Sequence, residues 1–314
     1  MQVHSTSTAR LTLGLVVATF LWGGNNTGVR YLVQDWPPVF TGCTRFFCAG
    51  VLLSLWLRRG ASCQEWQPVP RGLQRSLWWR GGFSLAMYIV AFNEALRHTA
   101  ASHVAVLLAA APLWALLAEG WSGARSGFFR RWAAAMLGLA GVAILMAPAI
   151  GGNPVRWKGE LLGLLASFLW AHYGWQSRWL GQRLPPAEVT AQTMWRAAVW
   201  LAPVAGAELL RQSVPWRFDL VAVQGYCVLA GGVAAFGLWT WALKHWPTSR
   251  VLLFNNLIPL TTLLWAHWLL GETVSTSFPI ALVLIVAGVW LGQQAGPTAT
   301  SVSGSPRSDP PVGP

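Results

Sequence analysis

Ala18-Thr19-Phe20-Leu21-Trp22 returns downstream as Ala166-Ser167-Phe168-Leu169-Trp170, at an offset of 148 residues. The same offset carries Arg30 onto Arg178 and Pro37-Pro38 onto Pro185-Pro186. Farther along, Ala95-Leu96 matches Ala242-Leu243 and Pro112-Leu113 matches Pro259-Leu260, both at offset 147. A register that drifts by one residue over so long a stretch is an internal repeat, and a repeat fixes the architecture before any single segment does.

Each copy is built from apolar runs. A bilayer crossing needs about 20 mainly apolar helical residues. The chain offers ten such runs, near 11–30, 38–57, 80–97, 100–121, 131–149, 160–180, 188–208, 220–243, 250–271 and 275–294. Hydrophobic types make up 54% of the 314 residues and charged types only 10%, against roughly 25% in a soluble domain. Mean hydropathy is +0.45. This composition cannot supply the polar shell of a water-soluble fold. The expected class is therefore an all-α membrane protein of ten transmembrane helices. Five spans per copy make the second copy enter from the opposite side, so the repeats are inverted. The first occupies 11–150 and the second 158–294, after a short N-terminal segment 1–10. Beyond 295 the chain turns to Gly, Pro, Ser and Thr, a composition that predicts disorder.

The net charge of +12 sits between the apolar runs rather than on one stripe, which points to membrane topology and away from nucleic acid. With the N-terminus inside, fourteen cations fall on the cytoplasmic side, among them Arg58, Arg59, Arg71, Arg75, Arg130 and Arg131. Six fall outside: Arg30, Arg97, Arg156, Lys158, Arg211 and Arg217. That imbalance puts both termini in the cytoplasm of a multi-pass inner-membrane protein. Many tryptophans, including Trp36, Trp78, Trp79, Trp132, Trp157 and Trp246, lie near span ends, as an interfacial belt requires. Cys43, Cys48, Cys63 and Cys227 form no metal or disulfide pattern, and no cofactor is expected. No phosphate-binding Gly-x-x-x-x-Gly-Lys loop is present, so transport would be secondary or facilitative. A membrane-embedded enzyme would need paired carboxylates or His-Glu-x-x-His within the spans, yet Asp35, Asp219 and Asp309 all lie outside them. A non-transporting scaffold or receptor is the other alternative, and the repeat disfavours it.

Phe20-Leu21-Trp22-Gly23-Gly24-Asn25-Asn26 resembles the first-helix signature of the EamA family in the drug/metabolite transporter superfamily. So do Ala95-Leu96-Arg97-His98-Thr99-Ala100-Ala101-Ser102 with Pro112, Ala242-Leu243-Lys244-His245 with Pro259, and Leu270-Gly271-Glu272. The resemblance covers about 11–294. It implies a central cavity lined mainly by helices 1, 3, 4, 6, 8 and 9, and a small-molecule substrate such as an amino acid, sugar or amine, with export common. The second copy departs from the first by carrying Ala171-His172-Tyr173 where the first has Gly23-Gly24-Asn25.

Polar residues at membrane depth are costly and each needs a reason. Trp22, Asn25, Asn26, Tyr88, His172, Tyr173, Asn255 and Asn256 form the candidate substrate-binding set. The amides read equally well as helix–helix hydrogen bonders, with Gly24 and Gly28 letting a neighbour approach. Arg45 and Arg196 are buried cations, either for an anionic substrate group or for loop carbonyls and helix ends. Glu94 is a candidate proton carrier if apolar surroundings enclose it; otherwise it pairs with Arg97 or His98. His103 and His267 read as helix–helix bonders. Glu272 reads as a cap for the last helix. Pro112 and Pro259 kink helices 4 and 9 and are candidate hinges. Gly288 and Gly292 suggest a homodimer face.

Overall fold

The repeated prolines start helices, as proline does when its fixed φ sits in a first turn and its missing N–H is not needed. In the computed structural model, which describes residues 7–60, 69–99, 101–121, 127–150, 157–271 and 276–294, α2 begins at Pro38 and α7 at Pro186. Among the described residues every element is helical, and the segments group into ten rods. Six are single helices: α1 (Thr8–Leu32), α2 (Pro38–Gly60), α5 (Phe128–Ile150), α6 (Trp157–Gly181), α7 (Pro186–Leu209) and α10 (Phe278–Gln294). The other four are composite. α3 runs over 71–98, α4 over 101–121, α8 over Phe218–His245 and α9 over 248–270. The tail beyond 294 and Glu272 lie outside the described residues.

The composite rods are broken where the sequence dictates. In α4 the helix Ala101–Ala109 stops, Ala110 turns, and Ala111–Trp121 restarts with Pro112 in its first turn. Proline donates no hydrogen bond and crowds the preceding turn. The bonds around the break accordingly shorten their span, Ala110 N–H to Leu107 O and Leu113 N–H to Ala110 O. α9 repeats the device. Thr248–Leu252 passes through 3-10 turns at Leu253–Leu257 before Ile258–Leu270 restarts with Pro259 near its head. Gly271, at φ 67°, closes α9 in the left-handed conformation that glycine adopts without penalty.

α3 and α8 share a different irregularity. Each contains wide π turns, Leu77–Phe83 in α3 and Cys227–Ala235 in α8. Both π segments carry a Gly-Gly pair pressed against a neighbour. A Cβ on Gly82 would lie 2.6 Å from Arg196 Cβ on α7, and one on Gly232 would lie 2.8 Å from Ala49 Cβ on α2. α3 also starts earlier than hydropathy implies, because its polar first turns at Arg71–Ser76 bring Gln74 onto Arg196.

The rods pack in matched pairs: α2 along α7, α5 along α10, α3 along α6, and α1 along α8 and α9. Small residues set the close approaches. Gly50 sits against the Trp195 backbone, and Gly288 against Ala134 O. Gly288 and Gly292 thus face α5 and Leu253 of their own chain. Helix packing within one chain uses up the surface that the sequence suggested for a second copy.

Among the described residues four rods are long and apolar enough, by length and composition, to cross a membrane: Pro38–Arg59, His103–Trp121, Phe128–Pro148 and Phe218–His245. α1 and α6, with 25 residues each, carry Asn, His, Gln and Trp that lower their mean hydropathy, and α10 has 17 residues. The outer surface is nonetheless apolar. Leu13, Leu161, Val199, Leu229, Val283 and Val286 are all exposed, far more apolar surface than a soluble monomer presents. The tryptophans divide. Trp79, Trp121, Trp157 and Trp216 are exposed near rod ends, whereas Trp36 and Trp246, expected in the belt, are buried.

Candidate functional site

At the centre two residues meet their own counterparts. Trp22 on α1 and Trp170 on α6, 148 positions apart, touch edge to face with ring centroids 5.9 Å apart. Each is backed by the other's repeat partner pair. Phe236 of α8 lies 5.2 Å from Trp22, and Tyr88 of α3, again 148 positions earlier, lies 4.9 Å from Trp170. The Trp22–Trp170 and Trp22–Phe236 contacts are edge to face and Tyr88–Trp170 is tilted at 40°, and aromatic pairs of this kind fix ring geometry beyond what area burial does. Trp239 stacks on Trp170 at 4.8 Å and on Tyr173 at 5.7 Å. Trp22 Nε1 donates to Gly231 O at 3.1 Å, which anchors the indole to the π segment of α8.

The polar flanks of this centre differ. On the first-half side Asn25 is buried, and its Oδ1 accepts from Arg45 Nη1 at 2.9 Å. Gly231 makes the room, since a Cβ there would fall 2.3 Å from Asn25 Oδ1. Arg45 is half-buried, its guanidinium 4.9 Å from the Phe46 ring. On the second-half side the equivalent positions hold Tyr173 and Thr193. The Tyr173 hydroxyl and Thr193 Oγ1 lie 3.1 Å apart and fully buried. One flank is thus a cation held by an amide; the other is a neutral pair of hydroxyls.

The remaining sequence candidates scatter. His172 is half-buried between Ser84 Oγ at 2.9 Å and Gln176 Nε2 at 3.1 Å, with its ring against Phe168 and Trp175. Asn26 points away from the centre, exposed, toward Thr262 Oγ1 at 3.4 Å. Asn255 and Asn256 sit in the 3-10 turns of α9. Asn256 packs on Gly138 of α5, and neither of its amide atoms finds a partner among the described residues. Arg196 is buried and held within the fold: it reaches Gln192 O, Gln192 Oε1 and Gln74 Oε1 and lies over the Trp195 ring, while its Nε has no partner among the described residues. It holds α7 to the head of α3. Glu94 is not enclosed by apolar groups, being 38% exposed and 3.7 Å from His98 one turn on. It sits close to the end of α3, where it lines a pocket of about 170 Å³ with Pro37, Pro38, Val204, Glu208 and Arg211. Pro112 and Pro259 stand at the two helix breaks.

Sequence reading missed two polar clusters. Glu160, in the first turn of α6, accepts from Thr99 Oγ1 at 2.7 Å and bonds His103 Nδ1 at 2.5 Å. Glu119, in the last turns of α4, accepts from the Ser249 backbone N–H at 3.0 Å and from Arg131 Nη1 at 3.3 Å. They tie rod ends at opposite ends of α4. No spacing rule links such distant residues, although His103 was expected to bond between helices and does. At the α1–α8 end, Arg217 donates to Asp219 Oδ2 at 2.7 Å, and that carboxylate holds the guanidinium pKa above its ordinary value.

Comparison with known proteins agrees with this architecture. The EamA-like transporter family matches residues 10–147 and again 157–292. An uncharacterized inner membrane transporter, YedA, of Escherichia coli K12 is 26% identical over 284 residues, 86% of each chain. An uncharacterized transporter of Archaeoglobus fulgidus is 24% identical over 286 residues, 88% of this chain and 95% of that protein. A Salmonella typhimurium protein named as a probable amino-acid metabolite efflux pump is 27% identical, but the match spans 49% of this chain and 54% of that one. A solved crystal structure superposes with a TM-score of 0.72 at 22% identity, covering 91% of this chain and 96% of the other, and shows the shared fold. The protein is a multi-pass membrane transporter. It belongs to the EamA-like transporter family.

Proposed function

We propose that this chain is a secondary or facilitative carrier of small metabolites that works by alternating access. Its two five-helix inverted repeats, 11–150 and 158–294, rock about the Trp22–Trp170 centre. That apposition carries the reading: a residue meeting its own repeat counterpart lies on the pseudo-two-fold axis an inverted repeat generates, and such carriers bind substrate on that axis near mid-membrane. Trp22, Asn25, Tyr88, His172 and Tyr173 contact the substrate, while Asn26, Asn255 and Asn256 meet it on its way in or out. Pro112 and Pro259, at matched helix breaks, are the hinges.

The chain sits in the inner membrane with both termini cytoplasmic. The cation imbalance between its two sides and the naming of YedA as an inner membrane transporter support this. Export is the direction, in line with the efflux pump named in Salmonella. Amino acids, amines and related compounds are the first substrates to try. Glu94 lines an open pocket beside His98 rather than an apolar enclosure, so pairing there is the favoured role and proton coupling is the alternative that a pH gradient tests.

Purified protein in proteoliposomes, offered pooled labelled amino acids, amines and sugars with and without a pH gradient, tests the reading. Accumulation that follows the gradient and vanishes in Glu94→Gln establishes proton coupling. Equilibration without accumulation makes the protein a facilitator and removes Glu94 from the cycle. Absence of flux for every pool overturns the transport of these substrate classes.

A further inference from the structure

The arginines buried in this fold are not equally employed. Arg196 spends its donors on Gln192 and Gln74, Arg178 on the carbonyls of Leu243 and Trp246, and Arg250 on both the side chain and backbone of Gln293. Arg45 makes one hydrogen bond among the described residues, to Asn25 Oδ1. Its Nε is closed off from solvent and bonds nothing among the described residues, as is also true of the Nε of Arg131 and Arg196, but Arg196 places its other nitrogens on three acceptor atoms and Arg45 on one. Among the described residues the ionisable groups within electrostatic reach of it are Tyr88 and Cys227, and neither is a carboxylate. A guanidinium has five donors in a fixed fork that fits a carboxylate edge-on. Leaving such a group inside a membrane protein without a counter-ion is costly unless something else supplies the anion.

The surroundings say what that anion belongs to. Arg45 lies beside the aromatic centre, with Phe46 next to it and Tyr88, backed by Trp170, within reach. One cation balances one negative charge, which suits a carboxylate better than a multiply charged phosphate. A cationic amine would meet Arg45 with no carboxylate among the described residues to offset it. We infer that Arg45, positioned by Asn25, is the carboxylate-binding residue of this transporter, and that the substrate is a small monocarboxylate with an aromatic or apolar body lying against Tyr88, Trp170 and Trp22. The inference rests on the carrier reading, because the carboxylate reaches Nε only when the packed helices part.

The test uses three probes of one shape: labelled indole-3-acetate, its neutral amide, and tryptamine. Uptake into proteoliposomes is measured for wild type, Arg45→Gln, Arg45→Lys and Asn25→Asp. Asn25→Asp gives Arg45 a counter-ion within the protein, so it keeps the charge pair while competing with the substrate. The expected result is uptake of the acid by wild type, reduced roughly 10- to 100-fold in Arg45→Gln and Asn25→Asp, the range expected for losing a hydrogen bond to a charged group. Arg45→Lys retains more acid uptake than Arg45→Gln. Arg45→Gln and Asn25→Asp elute from size exclusion in detergent as wild type does, which separates lost recognition from lost folding. Wild type that carries the amide or the amine but not the acid overturns the inference and leaves the carrier reading standing. So does Arg45→Gln with unchanged acid uptake. Wild type that carries none of the three overturns it as well, and the pooled screen then decides the carrier reading separately.

Discussion

The two halves of this transporter share a skeleton and differ in what they put at its centre. In both, a tryptophan of the repeat's first helix meets its counterpart, an aromatic residue of the third helix of the opposite half backs it, and a Gly-Gly pair in π turns lets a neighbouring helix close in. The contents then part ways. The first half places an amide and a guanidinium where the second places two hydroxyls. Trp239 fills a position where the first half has Ala91. Under the proposed carrier function, the matched backbone supplies the movement and the unmatched side chains supply the recognition. A binding site on a pseudo-two-fold axis can hold a polar, lopsided molecule only if the halves stop matching there.

The largest effect that sharpens this contrast is loss of Trp239. The side chain is fully buried and stacked on both Trp170 and Tyr173, so Trp239→Ala costs about 3–5 kcal/mol of stability, read as the melting temperature of the detergent-purified protein. Ala91→Gly, at the matching position, costs about 1 kcal/mol or less. Equal losses at both positions would break the contrast between the position that Trp239 fills and the one that Ala91 leaves small. Next come the two flanks. Asn25→Ala strips a partly buried guanidinium of its one partner and costs about 2–3 kcal/mol, whereas Tyr173→Phe removes a neutral bond at about 1 kcal/mol. A double-mutant cycle that finds weaker coupling for Asn25–Arg45 than for Tyr173–Thr193 contradicts the assignment of the charged flank.

Smaller effects on stability, but not on turnover, are expected at the breaks. Pro112→Ala and Pro259→Ala together leave the melting temperature within a few degrees yet slow exchange at least several-fold. Unchanged rates in the double variant remove the hinges. The smallest effect belongs to the outer charge network. Arg217→Ala leaves uptake within about 2-fold, as expected for an ion pair open to water.

Much of the skeleton was legible in the chain before any coordinates. The offset of 148 matched Trp22 to Trp170 as counterparts but did not foresee that they meet, and the prolines forecast both breaks. Gly24 and Gly28 were read as sites of close approach and lie against Tyr226 and Cys227. The site was less legible, because hydropathy fixes where a helix lies but not how it is turned. Asn25 and Asn26 are adjacent in sequence, yet one faces the centre and the other the outside. Arg45 and Arg196 looked equivalent until their partners could be counted. Glu94 appeared enclosed because its sequence neighbours are apolar, whereas the nearby rod end and the open pocket decide its surroundings.

The π turns of α3 and α8 bear on how this gene can change length. A π turn holds one residue more than the α turn it replaces, and each residue of an α-helix advances the next by about 100°. Deleting one residue from Leu77–Phe83 would relax the segment toward an ordinary helix and swing Tyr88 away from Trp170. The same deletion in Cys227–Ala235 would swing Phe236 away from Trp22. Insertions and deletions are tolerated in loops, but here two stretches deep in the bundle count residues as strictly as a reading frame does.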